Sequence, residues 1–146
     1  MQFTQLLLTT GLLASSAVFA APVAGKSMMA ASTEWTIQSM QRVCNSDDTS
    51  CTWTFGIYPG SGNATACSFD VNTATASQAN GGPANCGDYT VTSGWSGQFG
   101  DENGFTTLSV VNNPLRQIIY PSYTDAQLDT GEVVVPDQSY TPTTLP

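Results

Sequence analysis

The chain has 146 residues and a formal net charge of −8, with eleven acidic residues, three basic residues and no histidine. Without histidine it has no Ser-His-Asp or Cys-His catalytic group and no histidine-ligated metal site. Its basic residues, Lys26, Arg42 and Arg116, are too few to neutralise the phosphates of a nucleic acid, so no nucleic-acid partner is expected. The length is that of one domain.

Residues 1–20 are typical of a secretory signal peptide. A leucine-rich segment from Leu6 to Leu13 continues into an alanine-rich run, and together they are too short to span a bilayer. Val18 and Ala20 are the small residues expected before a cleavage site, which we place after Ala20. The segment has no basic residue before its apolar part, so a buried N-terminal helix is the alternative. We therefore expect a secreted, extracellular protein with a flexible lead-in at residues 21–33 and no transmembrane segment.

Export makes the cysteine count informative. An even number of cysteines in an oxidising compartment predicts disulfides, here two. The four cysteines are Cys44, Cys51, Cys67 and Cys86. Three pairings are possible, and Cys44–Cys51 with Cys67–Cys86 is preferred because the first bridge closes a short hairpin. A zinc site is not expected, because the chain has neither a C-x-x-C pair nor a histidine.

The residue pattern in the first half of the domain predicts strands and no helix. Trp35 to Val43 is the first candidate strand. Cys51 to Ile57 alternates apolar and polar residues, which is the pattern of a half-buried strand. A glycine-rich turn follows at residues 59–63, the alternation resumes from Cys67 to Val71, and residues 73–86 are predicted to be a loop.

The second half repeats this pattern. Candidate strands run from Tyr89 to Trp95, Phe105 to Val111, Leu115 to Tyr120 and Val133 to Val135. A Pro/Thr-rich tail, residues 136–146, is predicted to be disordered. The expected fold is all-β: a small antiparallel β-sandwich or barrel of six to seven strands, spanning residues 34–135 and held by two disulfides.

One turn carries a candidate modification site. Asn63-Ala64-Thr65 matches the N-x-S/T acceptor sequence for N-linked glycosylation. It lies in the predicted turn after residue 58, where an acceptor in a secreted protein is expected to be accessible. Asn63 is therefore a candidate glycosylation site.

No catalytic, cofactor-binding or metal-binding residue is predicted. The glutamates Glu34, Glu102 and Glu132 are scattered, whereas a glycosidase needs two carboxylates held together. Asp101, Glu102 and Asn103 could offer oxygen atoms to calcium, but they lack the ligand spacing of an EF-hand loop. Acids in turns that keep the protein soluble are the preferred interpretation.

Aromatic and charged side chains supply candidates for interaction. Trp53 and Trp95 share strand faces with other apolar residues, so core packing is preferred over a sugar-stacking platform. Arg42 and Arg116 are expected to pair with surface carboxylates. Tyrosines near strand ends and acids in the loop after Trp95 are better surface candidates. The interaction candidates are Tyr58, Asp101, Glu102, Tyr120 and Tyr123.

Several short segments, spread over most of residues 34–128, carry a resemblance to a known group. They are Glu34-Trp35-Thr36-Ile37, Arg42-Val43-Cys44, Cys51 to Ile57, Cys86 to Tyr89, Trp95 to Gly100, Gly104 to Leu108 and Tyr120 to Asp125. Together they resemble small secreted fungal proteins, in particular the elicitors of plant-pathogenic fungi that induce a hypersensitive response. A looser similarity is to the Alternaria major-allergen family, whose cysteine arrangement does not match, so its dimeric barrel is not carried over.

The resemblance implies a secreted effector that plant cells perceive, with defence or cell death as the result and a contribution to virulence. The expected partner is a host plant protein at the cell surface or in the apoplast, contacted through loops 60–63, 97–104 and 120–125. An acidic surface favours a basic partner. The alternatives are a carbohydrate-binding module with a cell-wall glycan as partner and, less favoured, a small carboxylate-dependent polysaccharide hydrolase.

Overall fold

Two antiparallel sheets share one core in the computed structural model, which describes residues 33–146. The predicted signal peptide and all of the predicted lead-in except Thr33 lie outside the described residues. The ten strands are β1 (Trp35–Cys44), β2 (Ser50–Tyr58), β3 (Thr65–Asn72), β4 (Gly81–Cys86), β5 (Tyr89–Ser96), β6 (Phe105–Asn112), β7 (Gln117–Ile119), β8 (Ser122–Thr124), β9 (Gln138–Tyr140) and β10 (Thr143–Thr144).

The strand order confirms the all-β prediction. One sheet has the order β3-β2-β1-β9; the other has the order β10-β7-β6-β5-β4, with β8 also paired to β6. The described part of the chain also has one four-residue helix, α1 (Asp125–Leu128), and two short 3₁₀ turns at Ala76–Gln78 and Asp101–Asn103. No helix within residues 33–146 is long and apolar enough to cross a membrane.

Side-chain alternation builds the core. On β2, Cys51, Trp53, Phe55 and Ile57 are buried while the residues between them point outward, as the period of two predicts. The facing sheet contributes alternating buried side chains from β5 and β6. These include Tyr89, Val91, Leu108 and Val110. The two inner faces therefore cover one another.

Four strands were not predicted from the sequence, and one predicted strand is absent. β4 lies within the predicted loop 73–86, and β8 follows β7 after a break at Tyr120 and Pro121. Residues 133–135 form no strand, although Val134 is buried and its N–H donates to the carbonyl of Met40 at 2.7 Å. Residues 133–135 therefore have the composition of a strand, but they pair with no strand of the described chain.

A disulfide closes one lateral side of the core. Cys67–Cys86 joins β3 to β4, which are the edge strands of the two sheets. Cys44–Cys51 is a cross-strand bridge at the end of the β1–β2 hairpin. This is the pairing that the sequence favoured.

The C-terminal segment was predicted to be disordered, and this prediction is wrong. β9 pairs with β1 through Trp35, Thr36 and Ile37, while β10 pairs with Gln117 and Ile118 of β7. The segment thus adds an edge strand to each sheet. A segment rich in proline and threonine has few side chains that can form a core, which is why it was expected to be disordered. The edges of β1 and β7 have backbone N–H and C=O groups that need partners, and the backbone of the tail provides these partners.

A chain that ends at Pro136 is expected to lose about 2–4 kcal/mol of unfolding free energy, because two strand edges and the ring packing of Tyr140 become exposed to water. Urea denaturation followed by tryptophan fluorescence measures this loss. A chain that ends at Thr144 keeps both strands and is the control, with a change of at most about 1 kcal/mol. Equal urea midpoints for the Pro136 chain and the full chain would contradict the structural role of the tail.

Candidate recognition surface

Two of the three loops singled out by the sequence lie side by side. The pairing of β8 with β6 brings Thr124 opposite Phe105 and Ser122 opposite Thr107. The backbone N–H of Asp125 donates to the carbonyl of Gly104 at 2.9 Å. A cavity of about 390 Å³ opens between the two loops, and we call it the Phe99 cleft. It is lined by Phe99, Glu102, Asn103, Gly104, Phe105, Ser122, Thr124 and Ala126.

Phe99 is the main apolar feature of this cleft. Its side chain is 65% exposed, and its ring stacks on that of Phe105 with 5.9 Å between ring centroids. The loop around it is ordered by its own hydrogen bonds, since Asn103 Nδ2 donates to the carbonyl of Phe99 at 3.1 Å. An exposed aromatic ring on an ordered loop has the properties of a binding anchor, because little conformational entropy remains to be lost on contact.

The surroundings of Phe99 are acidic. Asp101 and Glu102 are both exposed on the 3₁₀ turn that borders the cleft, and no basic residue is among those that line it. The cleft therefore combines an apolar centre with negative charge at its edge, on a chain of net charge −8. Such a surface is complementary to a partner with an apolar contact and basic residues around it.

Trp95 and Asp125 hold the cleft loops in place. Trp95 Nε1 donates to Oδ2 of Asp125 at 2.9 Å. The indole ring packs directly against Gly97 and Gly104, and a Cβ at Gly104 would collide with the Asp125 carboxylate and approach the indole to 3.0 Å. Glycine at position 104 is what allows this approach.

Arg42 lies behind this arrangement and is buried, contrary to the prediction that it pairs on the surface. It is 1% exposed, with Nη1 3.7 Å from Oδ1 of Asp125 and Nη2 bound to Asp129. Nη1 also donates to the carbonyl of Ser77 at 2.9 Å, and the guanidinium lies 5.6 Å from the Trp53 ring centroid.

A β-bulge is the physical reason for this inward orientation. The β1–β2 register shifts between Gln38 and Gln41, where Ser39 has a φ of 52°. The shift moves the buried positions from Trp35 and Ile37 to Met40 and Arg42. Strict alternation cannot anticipate this change of face.

A larger cavity of about 550 Å³ lies over this ion pair. Arg42, Asp129 and Ser77 line it, but the guanidinium already has both carboxylates and the Ser77 carbonyl as partners. The one basic residue of this lining is thus already paired within the fold, so this cavity is a weaker candidate for recognition than the Phe99 cleft.

The predicted interaction residues are only partly brought together. Glu102 lines the Phe99 cleft and Asp101 precedes it on the same turn, whereas Tyr120 is exposed between β7 and β8. Tyr58 is half-buried at the end of β2. Phe99 and Phe105 were not selected from the sequence, although an aromatic residue inside the glycine-rich segment 97–100 is a signal that could have indicated the first of them.

Tyr123 was predicted to be a surface candidate, and this prediction is wrong. It is 1% exposed, because β8 turns its side chain into the core when it pairs with β6. Burial, together with nearby Tyr140 and Asp137, raises the pKa of the Tyr123 hydroxyl. The hydroxyl has no hydrogen-bond partner among the described residues.

The potential metal ligands that group together within residues 33–146 are Cys44, Asp48 and Cys51. Both sulfur atoms form the Cys44–Cys51 bridge, so neither is a thiolate that could bind a metal. The expectations that no residue is catalytic and that no cofactor or metal binds stay predictions.

Asp125→Ala is expected to lower the unfolding free energy by about 2–4 kcal/mol, because it removes one counter-charge of Arg42 and the acceptor of the Trp95 indole. Chemical denaturation of the purified variant measures the change. Asp101→Ala, at an exposed acid of the same surface, is the matched control and is expected to shift stability by at most about 0.5 kcal/mol. Equal losses of unfolding free energy in Asp125→Ala and Asp101→Ala would contradict the anchoring role of Asp125.

Tyr123→Phe is expected to raise the unfolding free energy by about 1 kcal/mol at neutral pH, since it removes a buried hydroxyl without a partner. The raised pKa of Tyr123 means that above about pH 10 the unfolded chain releases this proton before the folded chain does. Stability therefore falls as pH rises above that value, and less steeply in the variant. Urea midpoints at several pH values up to 11 test both effects, and a steeper alkaline decline in the variant would contradict them.

Comparison with known proteins gives one family. The model of the family described as effector TSP1 matches residues 36–145. This range includes the Phe99 cleft and all ten strands, except the first residue of β1. The effector TSP1 of Hypocrea virens (strain Gv29-8 / FGSC 10586) is 55% identical over 148 aligned positions, and the alignment covers the full length of both chains.

Proposed function

We propose, given that this chain belongs to the effector TSP1 family of fungal effectors, that it is secreted and is perceived by plant cells through binding to a host protein. The expected outcome of that binding is a defence response of the hypersensitive type. The proposed place of action is the host apoplast or cell surface. The signal-peptide pattern and the two disulfides support export, because such bridges persist in oxidising compartments.

The observation that carries the proposal is the exposed ring of Phe99 in an ordered, acidic cleft. Phe99 is 65% exposed, and with the Phe105 ring stacked on it, it forms an apolar patch bordered by acidic side chains, which is the arrangement that marks interaction sites. Truncation of aromatic anchors of this kind commonly costs a complex more than about 2 kcal/mol. We therefore assign the central contact with the host protein to Phe99.

The charge around the ring defines the kind of partner. Asp101 and Glu102 would steer a basic patch of the host protein toward Phe99 and would raise the rate of encounter more than the affinity. A partner with an apolar contact surrounded by lysine or arginine fits both properties. Because exposed charges are screened, the encounter should weaken as ionic strength rises.

We propose that the protein acts without catalysis. The chain has no histidine, and Glu34, Glu102 and Glu132 are all exposed and lie in separate segments, before β1, on the 3₁₀ turn Asp101–Asn103 and between α1 and β9. A glycosidase mechanism needs a pair of carboxylates on either side of the bond that is cleaved. This distribution favours binding over a hydrolase.

Phe99→Ala is expected to raise the micromolar dose of purified protein needed for leaf symptoms by about tenfold or more, because it removes the anchor without touching the core. Infiltration into leaves of several plant species, scored by cell death and ion leakage, measures this dose. Circular dichroism and thermal melting establish that the variant is folded.

Leu115→Ala is the matched control, since Leu115 is 62% exposed but lies in the β6–β7 turn, outside the Phe99 cleft. It is expected to leave the dose unchanged. If folded Phe99→Ala kept full activity, the assignment of the central contact to Phe99 would be wrong. No response of any tested plant to the unaltered protein would contradict the proposed function itself.

A further inference from the structure

A second cleft, of about 490 Å³, lies at the end of β6 that is distant from Phe99. Its lining comes from the N-terminal end of β1, from the β2–β3, β4–β5 and β6–β7 turns, and from Pro142 between β9 and β10. Because the candidate acceptor Asn63 is part of this lining, we call it the Asn63 cleft. The Phe99 cleft shares none of its lining residues.

The acceptor sequence has the geometry that glycosylation requires. Asn63 is exposed in the turn after β2, and Thr65 begins β3 directly beyond it. Both residues line the cleft. A sugar attached to Asn63 Nδ2 would therefore start at the cleft itself rather than at a remote point on the surface.

The chemistry of the lining suits an uncharged sugar. Gln117 provides an accessible amide group, and the hydroxyl side chains of Thr33, Ser61 and Thr65 add donors and acceptors. Asp88 is the charged member of the lining, so an anionic ligand would be repelled. Trp35 and Tyr89 form its base but are almost fully buried, so the apolar surface open to a sugar is that of Leu115 and Pro59. Amides, hydroxyls and apolar side chains together can bind the polar edges and the C–H faces of a pyranose ring.

The walls of the cleft are held in place before any sugar binds. Trp35 and Tyr89 meet edge to face with 5.6 Å between their ring centroids. Asn113 Nδ2 donates to the carbonyl of Asp88 at 3.0 Å, which ties the β6–β7 turn to the β4–β5 turn. Asn112 Oδ1 accepts from the N–H of Leu115 at 3.0 Å. A preformed site loses little entropy when it is filled.

We propose that Asn63 carries an N-linked glycan whose first N-acetylglucosamine packs into the Asn63 cleft. In the attachment step, Asn63 Nδ2 forms a bond to the anomeric carbon of the sugar and loses one proton. The bond from that carbon to the pyrophosphate of a lipid-linked oligosaccharide donor breaks, and the lipid pyrophosphate leaves. The inference rests on the secretion that is part of the proposed function, because the donor is found in the secretory pathway.

In the folded protein the sugar covers Leu115, which is otherwise 62% exposed at the cleft wall. Its ring hydroxyls and acetamido group exchange hydrogen bonds with water for hydrogen bonds with the Gln117 amide and the Ser61 hydroxyl, which both line the cleft and are accessible. The glycan thus stabilises the end of the molecule where the turns of both sheets meet.

The first experiment tests attachment. The full chain is expressed in a yeast that secretes it, and intact mass is measured with and without peptide N-glycosidase F. Loss of a glycan mass is expected from the unaltered protein and from Thr65→Ser, which keeps the acceptor sequence, and not from Thr65→Ala. Protein that reaches the medium without a glycan would overturn this inference alone. Protein that is not exported would contradict the proposed function as well.

The second experiment tests packing in the cleft. Endoglycosidase H leaves one N-acetylglucosamine on Asn63. This form is expected to melt about 3 °C or more above the sugar-free form, which is protein produced without glycosylation so that it keeps Asn63. Leu115→Ala should lower the melting temperature of the single-sugar form and leave that of the sugar-free form nearly unchanged. Phe99→Ala, outside the cleft, should change both forms equally. Equal shifts from Leu115→Ala in the two forms would overturn the packing.

Discussion

A guanidinium group removed from water needs compensating charge and hydrogen-bond acceptors, and Arg42 finds them on separate parts of the chain. Asp125 and Asp129 come from α1 and its end, and the Ser77 carbonyl comes from the crossing between the two sheets. Because an unpaired buried charge is strongly destabilising, these segments must meet at Arg42 for the fold to form. Asp125 in turn binds the Trp95 indole, around which the Gly97–Gly104 loop packs. The position of Phe99 at the surface thus depends on a charge in the interior.

The rest of the fold separates two surfaces of different chemistry. The Phe99 cleft lies where β6 begins and combines an exposed aromatic ring with acidic side chains. The Asn63 cleft lies near the end of the same strand and is lined largely by amides, hydroxyls and buried rings. Between them, the Cys67–Cys86 bridge and the two C-terminal strands close the sides of the core. A scaffold closed on both sides can hold loops in fixed positions, which favours recognition by preformed surfaces.

Local patterns were sufficient for much of the architecture. The alternation from Cys51 to Ile57 predicted one buried face of β2, and the glycine-containing segments 59–63 and 97–104 separate β2 from β3 and β5 from β6 as expected. The short spacing of Cys44 and Cys51 favoured the pairing that the structure has. Loops 97–104 and 120–125 were singled out separately, but their meeting through the β6–β8 pairing was not predicted. Register between strands distant in sequence depends on contacts that no local window contains.

The sequence by itself determined the all-β class, the acidity and the family to which the chain belongs. Only the tertiary structure decided which side chains are inside: the bulge in β1 turned Arg42 inward, and β8 did the same to Tyr123. It also recruited a Pro/Thr-rich tail as two edge strands, because β1 and β7 had backbone groups to satisfy. Composition and periodicity describe what each segment prefers alone, whereas burial and pairing are settled by the partners that folding brings to it.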